Sequence, residues 1–364
     1  MPFKSDNFAA LKRRYTRYSI RTAMFFDWHN RRGWNRKIIM CALIVFFTIY
    51  IPLIIYHLRA TRDKQATTLC VAILSTPNKE GAHKRAACRD SWLTLAPEND
   101  AAVKTFFFLG QPLAHLLKGP LGEDRAESEP GVALNSIKKS ILEEQQAYGD
   151  LVDLPLDDHY ANLSLKVLQT IKYLSENEQC KFIFKADDDT FARLDLMLAE
   201  LTNVNLDKWL YWGYFTGRAS VYHKGRWAEN NWFLCDRYLP YARGGGYVFS
   251  GGLGKFIADY VDVWERYVNE DVSFGAWTAG LTLKRVHDPR FDTEYLSRGC
   301  LNSYLVTHKQ KPEEMRRKIQ NLKNTGQMCD VEGEARSSYE YNWKLPPTQC
   351  CDQQYNRRKI TFIK

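Results

Sequence analysis

Asp187, Asp188 and Asp189 stand consecutively after the apolar run Phe182-Ile183-Phe184 and before the segment Phe191 to Leu201, where Leu194, Met197, Leu198 and Leu201 recur at helical spacing. The apolar run predicts a buried strand and the spacing predicts a helix. The acids therefore fall at the carboxyl end of a strand, where open α/β sheets hold their ligands. If the strand geometry persists, Asp187 and Asp189 point to one side and Asp188 to the other. Two converging carboxylates suit a hard cation, Mg²⁺ or Mn²⁺, and the diphosphate such an ion carries. The blander alternative is that Asp189 or Thr190 caps the following helix, but a cap needs one such residue and not three.

Other residues have chemistry to offer. Glu270-Asp271-Val272 follows aromatics at Tyr260, Trp264 and Tyr267 and precedes Phe274-Gly275-Ala276-Trp277. An acid pair there either complements a helix N-terminus or supplies a general base in an aromatic-walled pocket. Arg243-Gly244-Gly245-Gly246-Tyr247 is either a flexible turn or a place where backbone approaches a ligand closely. It lacks the spacing of a dinucleotide fingerprint or a phosphate loop. His287 and His308 are the candidate metal imidazoles, and an imidazole beside carboxylates would favour Mn²⁺ over Mg²⁺. Tyr211, Trp212, Trp227, Trp232, Tyr238 and Tyr241 are core residues or sugar-stacking ones, and their spacing does not separate the two.

The elements that must position these groups alternate. Strands are expected at Leu69 to Leu74, Phe106 to Leu109, Leu151 to Leu154, before the acids, at Leu210 to Tyr214 and at Tyr247 to Ser250. Helices are expected at Ala82 to Trp92, Ile137 to Tyr148 and around Leu163, Val167, Leu168 and Ile171. Such alternation implies a mainly parallel α/β sheet with helices on both faces. The acidic stretch Glu123 to Glu129 reads as a solvated connection.

Charge and hydropathy add a topology. Ile38 to Leu58 carries no charged side chain over 21 residues, about 31 Å as a helix and enough to span a bilayer. The first 37 residues hold ten Lys/Arg against Asp6 and Asp27, so +8 of the net +9 lies in this tail. The positive-inside rule then makes the chain a single-pass type II membrane protein, with its body on the lumenal side. The rest of the chain carries almost no net charge, which removes the main support for nucleic-acid binding. The expected divisions are a cytosolic tail (1–37), a transmembrane signal-anchor (38–58), a short stem (59–67), a catalytic domain (68–351) and a C-terminal tail (352–364). Cys41 lies in the span. Eight further cysteines (Cys70, Cys88, Cys180, Cys235, Cys300, Cys329, Cys350, Cys351) fit an oxidising compartment, with a pairing that spacing does not decide. Asn162-Leu163-Ser164 is a glycosylation sequon.

Several motifs, in order, resemble glycosyltransferase family 31, the inverting β1,3-glycosyltransferases of the Golgi. They are Arg85 to Trp92 (with Ser91 where threonine is usual), Tyr148 to Leu154, Tyr160 to Lys166, Lys185 to Asp189, Tyr241 to Ser250, Glu270 to Val272, and Leu305 to His308. The resemblance implies a Rossmann-like, type A nucleotide-diphosphosugar transferase domain. It also implies Asp189 and His308 as Mn²⁺ ligands and Asp271 as the base. Arg85, Arg89, Asp187, Asp188 and Gly244 to Gly246 would lie around the nucleotide sugar. Gly225-Arg226-Trp227, His287 to Cys300 and Pro346 to Cys351 further resemble galactosyltransferases of the glycosaminoglycan linkage region. They imply UDP-galactose as donor, a galactosyl-xylosyl core protein as acceptor, the Golgi membrane as location and other linkage-region glycosyltransferases as partners. The rival expectations are a family member with another donor, such as an N-acetylglucosaminyl one, and a catalytically silent chaperone or lectin-like binder.

Overall fold

Thr67–Leu74 (β1) turns alternate side chains to opposite faces of a sheet. Leu69, Val71 and Ile73 join one core cluster, and Cys70, Ala72 and Leu74 the other. The computed structural model describes residues 46–51, 67–97, 102–112, 130–202, 204, 207–351 and 353–354. In chain order the elements after β1 are α1 (Lys79–Asp90), β2 (Val103–Gln111), α2 (Pro130–Tyr148), β3 (Leu151–Asp157), α3 (Leu163–Asn177), β4 (Cys180–Asp187), β5 (Phe191–Ala192), α4 (Leu194–Thr202), β6 (Leu210–Thr216), β7 (Tyr241–Ser250), α5 (Gly251–Asp259), α6 (Glu270–Thr278), β8 (Lys284–His287), β9 (Phe291–Asp292), β10 (Gly299–Cys300), β11 (Val306–Thr307) and α7 (Pro312–Thr325).

Seven strands form one sheet in the order β3-β2-β1-β4-β7-β6-β8. The strands β1 to β4 are parallel, whereas β7 runs antiparallel to both β4 and β6. Helices cover both faces, as expected. Ala87 of α1, Met197 and Leu201 of α4 and Ile319 of α7 pack on one, and Val167 and Ile171 of α3 with Leu253 and Ile257 of α5 on the other. Each of these Val, Leu, Ile and Met side chains fully removed from water contributes about 1.5–3 kcal/mol.

Two features of this topology build the site. The antiparallel pairing of β7 with β4 sets Gly246 opposite Ala186, so the glycine run lies beside the end of the acid-bearing strand. A small second sheet, β5-β11-β9, pairs Thr307 with Phe191 and so delivers His308 next to Asp189. That pairing also corrects the expected helix from Phe191: Phe191 and Ala192 are strand, and the helix starts at Leu194.

Disulfides join Cys70 to Cys180, Cys300 to Cys329, and the adjacent Cys350 and Cys351. The even cysteine count does not translate into complete pairing. Cys88 is unpaired and buried under the acid turn, and Cys235 is unpaired and exposed. The expected tail 1–37, the expected span apart from residues 46–51, the stem before Thr67, the Glu123 to Glu129 stretch, and the C-terminal tail apart from Gln353–Gln354 lie outside the described residues. Phe46–Tyr50 forms a short π-type helical turn. No helix among the described residues is long and apolar enough to cross a membrane.

Candidate active site

β4 ends at Asp187, and Asp188 and Asp189 form a turn, yet the acids divide as strand alternation would have placed them. Asp187 and Asp189 face His308, whose Nε2 lies 3.0 Å from Asp189 Oδ1 and 3.4 Å from Asp187 Oδ2. One donor atom from each of the three residues falls within 4.8 Å of the others. Asp188 turns the other way, buried, and accepts from Ser75 Oγ at 2.8 Å with Lys84 Nζ 3.6 Å off. Asp188 thus stands apart from the three-residue cluster. Burial pushes its carboxyl up to about 6. Burial acts in the same direction on Asp187, but the Lys185 ammonium and His308 outweigh it and hold that carboxyl well below its ordinary range. For His308, burial opposes charge, yet the two carboxylates win and raise the imidazole to about 9. Two carboxylates and one imidazole converging at this range fit a divalent cation.

The triple glycine is neither a loose turn nor a bare ligand cradle, because it lies within β7 and makes room for the site's own side chains. A Cβ on Gly245 would stand 2.5 Å from His308 Cγ, and one on Gly244 would stand 2.9 Å from Glu270 Oε1. The backbone freed in this way is used: Gly244 N donates to Asp271 Oδ2 at 3.0 Å, and Gly245 O accepts from Thr190 Oγ1 at 2.6 Å.

Glu270 and Asp271 open α6 in different surroundings. Glu270 is buried and hydrogen-bonded to Lys185, and burial, against the pull of Lys185, pushes its carboxyl up to about 8. Asp271 is only partly buried. Both its oxygens accept backbone N–H groups, from Val272 and Gly244, and burial raises its carboxyl above the ordinary value despite Arg243 and Lys185. Lys185, not singled out from sequence, is the hub: its buried ammonium reaches Asp187, Glu270 and Gly244 O.

Asp187, Asp189, His308, Glu270 and Asp271 line one cavity of about 330 Å³, walled by Tyr160, Tyr222, Trp227, Tyr238, Tyr241 and Tyr295. A second cavity, of about 520 Å³, shares Asp189 and Lys309 with it and is lined by Glu80, His83 and Lys84 of α1. Arg85 and Arg89 do not face it. Arg85 is buried, with Nε and Nη2 on Glu144 and Nη1 on Ser75 Oγ, while Arg89 pairs with Asp150 and Glu144. These two residues brace α1 against α2, and Arg85 holds Asp188 through Ser75, which is not the nucleotide contact expected of them. Lys84, one position earlier on the helix, is swung by about 100° of helix rotation toward the opening.

His287 is structural. Phe215 N donates to its Nδ1 at 3.0 Å and its Nε2 bonds Tyr339 O at 2.9 Å, which leaves no nitrogen for a metal. Asn162 is half-buried, with its amide donating to Asp157 O at 3.0 Å, while the sequon's Ser164 is buried against Tyr267 O and Ser273.

With this geometry in place, the relatives are informative. Residues 131–289 match the Galactosyltransferase family model. The chain is 43% identical over 301 residues to beta-1,3-galactosyltransferase 6 of Mus musculus, covering 81% of this chain and 85% of that one. It is 28% identical over 270 residues to beta-1,3-galactosyltransferase GALT1 of Arabidopsis thaliana, covering 71% of this chain but 38% of the plant protein. The apo structure of mouse xyloside xylosyltransferase 1 superposes at a TM-score of 0.34, with 12% identity over 66% of this chain and 97% of that one, too loosely to carry weight. A cluster of hard ligands at a strand end, an acid pair beside it and this level of identity over most of both chains make the protein a member of the galactosyltransferase family, an enzyme that draws on a nucleotide-sugar donor.

Proposed function

We propose that the protein transfers galactose from UDP-galactose to O3 of the galactose in a Gal-β1,4-Xyl-Ser proteoglycan linkage, forming a β1,3 bond with inversion. The observation that carries this reading is the single cavity that holds Asp187, Asp189 and His308 at one end and Asp271 on its wall. Inversion needs one in-line displacement: the acceptor oxygen bonds to the anomeric carbon as the bond to the diphosphate oxygen breaks, and UDP leaves with the electron pair. Asp271 takes the proton from the attacking hydroxyl. The N–H groups of Val272 and Gly244 fix its carboxylate, and burial raises its basicity. Glu270 is engaged by Lys185 and is the poorer candidate. Asp187, Asp189 and His308 would hold Mn²⁺, which when bound supplies charge neutralisation at the diphosphate. Lys309 lines both cavities beside Asp189 and Lys84 lines the second, so both could offer charge to a diphosphate there.

The location follows from the sequence. The basic tail, the 21-residue uncharged run and the disulfides support a type II Golgi membrane protein with a lumenal catalytic domain. The deciding experiment is a donor scan of the lumenal fragment on a galactosyl-xyloside, with and without Mn²⁺. Transfer from UDP-galactose alone, dependent on the metal, is expected. A preference for UDP-N-acetylglucosamine, or no transfer from any donor, would overturn the reading.

A further inference from the structure

We propose that Tyr222, Trp227 and Tyr295 form the acceptor platform, a three-ring surface that takes the apolar C–H face of a β-galactoside and turns its hydroxyl edge toward Asp271. This rests on the galactosyl-transfer reading above and adds the residues that select the acceptor. The three rings are 46%, 38% and 63% exposed, whereas Tyr238 and Tyr241 on the same cavity wall are 2% exposed. Trp227 sits between the other two, its ring centroid 6.0 Å from that of Tyr222 and 5.4 Å from that of Tyr295. Leaving three large aromatics open at a polar cavity forgoes their burial, and sugar binding recovers it. A galactopyranose carries its C3, C4 and C5 hydrogens on one face, an apolar patch of the size of an aromatic ring, with hydroxyls around the edge.

The platform is also built in register with the acids. Glu229, 2% exposed, accepts from Val268 N and donates its own N–H to Tyr222 O at 2.7 Å. Asn269 Nδ2 donates to Trp227 O at 3.1 Å. Asn269 immediately precedes Glu270-Asp271, so the loop carrying Tyr222 and Trp227 is fastened to the start of α6. On the far side the Lys309 ammonium lies 3.2 Å from the centroid of Tyr295, which seats that ring next to His308. The sugar therefore lies over the rings with the cation cluster on one side and Asp271 on the other.

The test compares wild type, Trp227→Ala and Trp227→Phe. For Trp227→Ala the acceptor KM on a galactosyl-xyloside is expected to rise roughly 10- to 30-fold, the range for truncating a central tryptophan contact. Hydrolysis of UDP-galactose by water and metal-dependent UDP binding should be retained, and Trp227→Phe should recover most of the loss. Saturation-transfer NMR with methyl β-galactoside, with UDP and Mg²⁺ present, reads acceptor binding without turnover. Weakened galactoside signals in Trp227→Ala support the platform even if wild type proves to use another donor. Undiminished signals overturn it, as does loss of UDP binding along with the galactoside, which would make Trp227 a structural residue. A wild-type protein that does not bind the galactoside overturns it whatever the donor scan shows.

Discussion

Lys185 Nζ lies 2.8 Å from Asp187 Oδ1 and is at the same time hydrogen-bonded to Glu270, so one buried cation ties the cluster at the end of β4 to the acid pair that opens α6. Burial opposes the lysine's charge, but the two carboxylates raise its pKa above the ordinary value. The two halves of the site are thereby held at a fixed distance before any ligand arrives.

Removing that cation leaves Glu270 buried with no ammonium against it and leaves the partly exposed Asp187 to His308. Lys185→Met is expected to cost about 3–5 kcal/mol of stability, the range for breaking one side of a buried ion pair. In the wild type Lys185 holds the Asp187 carboxyl low while Glu270 already titrates at about 8, so the pH dependence comes from Asp187, whose folded-state pKa rises in the variant. The deficit should be full near neutral pH and shrink as the pH falls through the ordinary carboxylate range. Thermal denaturation at pH 7 and pH 3 measures both. An equal deficit at the two values would show that the loss is packing and not charge.

The cluster of Asp187, Asp189 and His308 makes a separate prediction. Asp189→Asn and His308→Ala should each abolish metal-dependent UDP binding, because each removes one of three converging donors. Calorimetric titration of UDP with Mn²⁺ is the readout. Unchanged affinity in both variants would remove the assignment.

Much of this was legible from residue order. The opposite directions of Asp188 and its neighbours agree with the strand reading although a turn, not the strand, carries Asp188 and Asp189, and the two faces of β1 follow from its unbroken apolar run. The register of α1 was not legible: Arg85 and Arg89 are as basic as Lys84, and only packing against Glu144 and Asp150 shows which of them turns inward. Lys185 enters the sequence reading only as the first residue of the Lys185 to Asp189 motif, because its linking role shows only once Glu270, 85 residues on, is folded against it. The brevity of β5 also defeats periodicity, since two residues are too few to carry a pattern.

Gly245 offers a test of the packing argument. In Gly245→Ala the new Cβ would fall 2.5 Å from His308 Cγ and Nδ1, so the imidazole must move. Metal-dependent UDP binding should weaken at least tenfold, the cost of about 1.4 kcal/mol of misplacement. Gly280→Ala is the control, since nothing stands within 4 Å of a Cβ there. Equal UDP binding in the two variants would mean that His308 tolerates the displacement.

His287 predicts an acid-sensitive fold. Burial lowers its imidazole to about 4. Its Nδ1 accepts from Phe215 N, so protonation there would break that bond. The unfolded chain binds this proton near pH 6.5 and the folded one only near 4, so its contribution is intact above about 6.5 and is lost as the pH falls toward 4. The loss amounts to at most about 3.5 kcal/mol, at about 1.4 kcal/mol per pKa unit. Urea denaturation of His287→Gln against wild type between pH 4 and 7 should show a shallower acid decline in the variant. Parallel curves would remove His287 from the account.

The last prediction separates the base from the cation cluster. Asp271→Asn keeps shape but accepts only one of the Gly244 and Val272 N–H groups, because its amide nitrogen is a donor, and it cannot take a proton. Turnover should fall by about 10² to 10⁴-fold, the range for loss of a general base. UDP and metal binding should survive, because Asp271 is outside the cluster that would hold the ion. Glu270→Gln is the necessary comparison. Glu270 is buried against Lys185, so its loss should act mainly on stability and cost less in turnover than Asp271→Asn. Single-turnover kinetics at saturating UDP-galactose, with UDP titrations alongside, separates the outcomes. If Glu270→Gln is the inactive variant while Asp271→Asn turns over, the base is the buried acid, and Lys185 must release it during the reaction.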